Sequence, residues 1–116
     1  MKVGIKAKQR LLDILAADSG LKKSVKNISG AWHDSKKGYP QITVTQLSNR
    51  PASVSDDKVD FRTPLLQVDI WDKGNPFLIA DKIIAALEKE GYEPADEREQ
   101  NEAEINRVIL EYRMEE

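Results

Sequence analysis

The run LLQVDIW, residues 65–71, alternates apolar and polar side chains and stops at Asp72-Lys73-Gly74. Period-two alternation puts Leu66, Val68 and Ile70 on one side of a strand and Leu65, Gln67, Asp69 and Trp71 on the other. One apolar and one mixed face require a sheet covered on one side, so the rest of the chain must supply a helical layer. Pro64 has no N–H to give a ladder and belongs near a sheet edge or a bulge. After the strand, Asn75 offers an N-cap oxygen and Pro76 suits a first helical position. The helix that follows has Phe77, Ala80, Ile83, Ile84 and Leu87 as its apolar face. Glu88, Lys89 and Glu90 face solvent, and Gly91 is its C-cap.

Other segments supply matching pieces. Residues 5–17 place Ile5, Lys8, Leu11, Leu12 and Leu15 at helical spacing, with Asp18-Ser19-Gly20 as the stop and Gly20 free to adopt the left-handed conformation. QITVTQL, from Gln41, sets Ile42 and Val44 against Thr43 and Thr45 as a second strand. SNRPASVSDDK, residues 48–58, is polar, contains Pro51 and reads as a mobile loop or a long hairpin tip. INRVILEYRM, from Ile105, is a last strand, with Asn106, Val108, Leu110 and Tyr112 opposite Ile105, Arg107, Ile109 and Glu111. The preceding acidic stretch from Ala95 reads as a linker, with helix as its alternative. Residues 21–39 read as mostly irregular and lysine-solvated, with Leu21, Val25 and Ile28 open to a short helix or an edge strand.

These pieces define an α+β fold of order α-β-β-α-β, with a possible extra short element at 21–39. Two helices cover one face of a small antiparallel or mixed sheet. The expected inner face is Ile42, Val44, Leu66, Val68, Ile70, Val108 and Leu110, and the other face, with Trp71 and Ile109, is left for solvent or a partner. A length of 116 residues fits one domain spanning 1–116. Without cysteine, disulfides, thiolate nucleophiles and cysteine-held metals are excluded. The absence of long apolar runs gives a soluble, unprocessed chain as the expectation. Residues 1–58 hold 11 basic and 5 acidic groups and residues 59–116 hold 7 and 15, so the halves carry +6 and −8. Unlike halves of this kind permit head-to-tail docking between copies, although the charges of one folded chain can equally intermix on its surface.

Catalytic signals are weak. Asp69, Asp72 and Lys73, with Asp60, faintly resemble a magnesium-dependent nuclease core, but Asp72 and Lys73 are adjacent and cannot project from one face of a strand. Strand-end charge is the simpler reading. His33 beside Asp34 lacks a marked nucleophile or metal, and no phosphate loop, dinucleotide fingerprint or serine elbow occurs. The lysines near Val25 and Ser35 are locally basic, yet a pI near 5.5 and the few aromatics, Trp32 and Tyr39, argue against a nucleic-acid platform. Neither a cofactor nor a metal is expected.

The N-terminal helix, YPQITVTQL, the long polar loop, LLQVDIWDKG, the helix NPFLIADKIIAALEKEGY and the strand VILEYRM together resemble the tail terminator or tail completion proteins of long-tailed phages. The similarity spans most of residues 5–114 and is one of element order and texture. It implies a non-enzymatic virion component, made in the bacterial host cytoplasm, that assembles as a hexameric ring at the head–tail interface. Its implied partners are copies of itself, the tail-tube protein and the head connector. DNA would pass through the ring without sequence-specific binding, and no membrane is involved. On this reading Arg50, Asp56, Asp57 and Lys58 belong to a 49–60 loop that orders against a neighbouring subunit or tube protein, and Asp69 and Trp71 are further interface candidates on the outer sheet face. A small cellular α+β protein-binding module is the alternative, with a weak nuclease using Asp60, Asp69 and Lys73 behind it.

Overall fold

A computed structural model of the chain describes residues 4–51, 62–102 and 104–113, with side chains over 7–47, 65–101 and 104–113. The chain runs α1 (Gly4–Ala17), α2 (Ser19–Ser24), β1 (Asn27–Ser29), a 3-10 turn (Ser35–Lys37), β2 (Gln41–Pro51), β3 (Arg62–Asp72), α3 (Phe77–Lys89), β4 (Glu93–Glu102) and β5 (Ile105–Arg113). The strands form one five-stranded sheet in the order β1-β2-β3-β5-β4. β1 lies parallel to β2 and the other pairs are antiparallel, giving a mixed sheet in an α+β fold.

Register explains the core. Ile42 faces Ile70, Val44 faces Val68, and β5 continues both rows with Val108 and Leu110. Leu66 and Tyr112 complete this inner face, and every one of these side chains is buried. α1 covers the face with Ala7, Leu11 and Leu15, and α3 with Ile79, Ala80, Ile83 and Leu87. The stripe on α3 differs from expectation at its first turn. Ile79 is buried, whereas Phe77 is 47% exposed. Phe77 instead lines a groove between the helix and β4, together with Ile84, Glu97 and Glu99. Ile84 is half-buried on the flank of the stripe.

Both ends of α3 follow from local chemistry. Asn75 Oδ1 accepts the Phe77 N–H at 2.9 Å, while the Pro76 carbonyl accepts the Ala80 N–H at 3.0 Å. At the other end Gly91 takes φ 89°, so its N–H reaches the Glu88 carbonyl and the Tyr92 N–H reaches that of Leu87. This Schellman arrangement satisfies two carbonyls of the last turn and buries Tyr92 with Leu87.

Three segments depart from the expected order. Asp18 does not simply end α1, because its carboxylate accepts the Leu21 N–H at 3.1 Å and starts α2, whose Leu21 is fully buried. Gly20 therefore lies inside a helix and has no positive φ. Residues 21–39 hold both alternatives in turn, a short helix and then an edge strand at Ile28. The acidic stretch read as a linker is β4, paired along its length with β5. An edge strand with charge on both faces shows no apolar alternation, and its ladder is supplied by β5 rather than by its own propensity.

β2 and β3 also outrun the rest of the sheet. Pairing continues past a register shift between Gln46 and Ser48 to Pro51 opposite Arg62, whereas among the described residues β5 pairs with β3 no further than Leu65. The outer part of the hairpin is a two-stranded arm. Pro64 sits there, opposite Asn49 and beyond the last β5 partner, where one missing donor is tolerated.

Tyr112, 2% exposed, lies edge-on to Tyr92 with ring centroids 6.4 Å apart. Burial pushes its hydroxyl up to about 12, and Glu88 and Glu97 add to the shift. A folded value above the unfolded one favours the folded state below about pH 10, and that contribution is lost as pH rises through 12. Urea unfolding at pH 9 to 12 should therefore show a loss on the order of 2 kcal/mol that Tyr112→Phe removes. An unchanged pH slope in the variant would assign the loss to other groups.

Candidate functional site on the outer sheet face

The face turned away from the helices is built in rows. Gln41, Trp71, Arg107 and Gln100 form one row across β2, β3, β5 and β4, and Thr43, Asp69, Ile109 and Arg98 form the next. Asp69 and Trp71 do lie on this face, but they are buried to 1% and 2% exposure, and Ile109 is buried beside them. The expectation of a face left open to solvent or a partner is therefore corrected at its centre. Side chains of the chain itself fill it.

Asp69 is held from two sides. Arg107 Nη2 donates to its Oδ2 at 2.7 Å, and Gln67 Nε2 donates to Oδ1 at 3.0 Å. The Arg107 guanidinium in turn lies 4.4 Å from the Trp71 ring centroid and 5.3 Å from that of Trp32. Arginine suits this position because its flat cation stacks on aromatic faces while its fork reaches a carboxylate. Trp71 Nε1 donates to Thr43 Oγ1 at 2.9 Å, which satisfies the one polar atom of a buried indole.

Residues 30–40 form the lid over Trp71. His33 stacks on it with ring centroids 4.0 Å apart, and Trp32 meets it edge-on at 4.8 Å. His33 Nδ1 lies 2.8 Å from the Tyr39 hydroxyl, and the Lys73 ammonium stands 5.8 Å from the Tyr39 ring centroid. The lid is fastened by Gln41, which is fully buried. Its amide nitrogen donates to the carbonyls of Asp34 and Gly38 at 2.6 and 2.7 Å, and its oxygen accepts the Asp34 N–H at 3.1 Å. Gly38, at φ 78°, makes the turn that brings its carbonyl to this amide.

The residues singled out in sequence are thus separated by role. Asp72 Oδ1 accepts the Gly74 N–H at 3.2 Å and holds the turn into α3, so Asp69, Asp72 and Lys73 do not converge. Asp34 accepts the Lys36 N–H at 3.0 Å and makes no dyad with His33, whose partner is Tyr39. Among the described residues no three His, Asp or Glu groups gather to hold a metal. Arg50 lies on the arm, its backbone opposite Thr63. Asp56, Asp57, Lys58 and Asp60 lie outside the described residues. Sequence reasoning did not find the lid. Its signal was the aromatic density of Trp32, His33 and Tyr39 within eight positions, too many rings for a purely solvated loop.

The chain matches no family model and no curated protein. No helix among the described residues is long and apolar enough to cross a membrane.

Arg107→Met should lower stability by about 3 kcal/mol, because it strands a buried carboxylate, and adding Asp69→Asn should restore part of that loss. Denaturant midpoints of the two variants test the pair. A double variant no more stable than the single one would locate the cost in lost aromatic stacking instead.

Proposed function

We propose that the chain is a non-enzymatic phage virion protein of the tail terminator type, which caps the tail tube as a ring and joins it to the head connector. The two-stranded arm carries this reading. Among the described residues β2 and β3 pair beyond the last β5 partner as far as Pro51 opposite Arg62, and the sequence that joins them, 52–61, is mostly polar. A two-stranded ribbon is marginal on its own, and its unpaired edges suit contact with another chain. The α+β architecture, with helices on one sheet face, agrees with the resemblance read from sequence. Virion location, the tube and connector partners and the passage of DNA through the ring follow from that reading.

The nuclease alternative requires Asp69 as a metal ligand. Its carboxylate is already engaged by Arg107 and Gln67 at 1% exposure, which leaves no open coordination position there.

Sequencing the DNA on both sides of the gene tests the proposal. Flanking frames for capsid, connector and an abundant tube protein support it and supply the partner. Metabolic or regulatory neighbours overturn it. With the tube protein in hand, replacing residues 53–60 by a short Gly-Ser link should leave the melting temperature within a few degrees and abolish capture by tube ends, scored by electron microscopy. Capture at wild-type level would remove the arm from the interface.

A further inference from the structure

Two exposed surfaces of opposite charge lie on opposite faces of the sheet. At the β4 edge, a groove of about 150 Å³ runs between α3 and β4. Phe77, Ile84 and Leu110 supply its apolar surface and Asp81, Glu97 and Glu99 its acidic rim. Register accounts for it, since Glu97 and Glu99 stand opposite Leu110 and Val108 and so point to the helix side. Arg98 does not neutralise the rim, because its guanidinium bonds Asp96 and Glu111 on the other face, and Lys82 reaches Ser24 of α2. Leu78, 69% exposed, follows Phe77 on the same helix.

The segment from Lys26 through the lid is basic. Lys26, Lys36 and Lys37 are exposed, and Gly38 packs near the Lys26 stem while the Lys26 N–H bonds the Pro40 carbonyl. Asp34, the acid of this segment, is engaged in capping the 3-10 turn. Trp32 rises from the same segment with 62% of its surface exposed.

We propose that copies of this chain associate head to tail, with Trp32 and the Lys36–Lys37 pair of one copy seated in the acidic α3–β4 groove of the next. Trp32 brings a large apolar anchor to an apolar floor, and the lysines meet Asp81, Glu97 and Glu99 at the rim. The two surfaces differ, so the contact is heterologous and each copy keeps one free end for the next. The inference specifies the subunit contact of the ring proposed above and rests on that reading only for closure into a ring.

Charge exchange tests the contact. The exposed pairs Lys36/Lys37 and Glu97/Glu99 are reversed as K36E/K37E and E97K/E99K, and folding is checked by circular dichroism. Wild-type protein should associate in sedimentation runs at low salt up to about 1 mM, weakening about tenfold or more at high salt. Each reversed variant should sediment as a monomer. An equal mixture should regain association, because the native basic loop of one meets the native groove of the other and the two reversed surfaces also match. Trp32→Ala should weaken the wild-type contact without changing its salt dependence. Association of both variants alone at wild-type strength would overturn this contact and leave the ring in place. Wild-type protein monomeric throughout, or a mixture that fails to associate, would overturn the contact, while capture by tube ends would still read the capping role separately.

Discussion

The pair between Asp69 and Arg107 governs what the outer face of the sheet can be. β3 is flanked on both sides, so a carboxylate in its middle is taken out of water whether or not it has a partner. Removing a charge from water in this way costs several kcal/mol unless a cation and further donors replace it. Arg107 supplies the cation across the β3–β5 ladder and Gln67 the further donor. Placing Arg107 there puts a guanidinium beside Trp71, and that arrangement is sealed by Trp32 and His33 from a distant part of the chain. The lid stays in place through Gln41, whose three hydrogen bonds to Asp34 and Gly38 use both amide hydrogens and engage the amide oxygen.

The inner face was legible because both of its signals are local. Alternation named Ile42, Val44, Leu66, Val68, Ile70, Val108 and Leu110, and all of them are core residues. Cap chemistry located both ends of α3 through Asn75 and Gly91. The outer face was legible only as a list of residues. Asp69 and Trp71 were assigned to the correct side, but their burial depends on Arg107 and on residues 30–40, which no periodicity links to them. Gln41 shows the difficulty most plainly. A polar residue at the start of an alternating strand reads as solvent-facing, yet here it is fully buried because two backbone segments converge on it.

β4 and α2 were hidden for different reasons. β4 is solvated on both faces, so its sequence resembles a linker and only the ladder to β5 makes it a strand. Asp18 looked like the end of one helix because aspartate before glycine favours a stop, but the same side chain is a good N-cap and begins the next. Local chemistry placed a boundary correctly there without saying what lay beyond it.

The edges of the sheet constrain how such a domain can meet another chain. β1 is only three residues long, and β4 presents Glu93, Asp96, Glu97 and Glu99 along an otherwise open ladder. Short edges and charged edges both resist backbone addition by a neighbouring strand. Contact at these ends therefore has to run through side chains, where shape and charge select the partner, rather than through a ladder that would accept any extended segment. The arm formed by β2 and β3 is the exception, since among the described residues no third strand pairs with it on either side. Recognition on this fold thus separates into selective side-chain contact at the sheet edges and backbone-accessible contact at the arm.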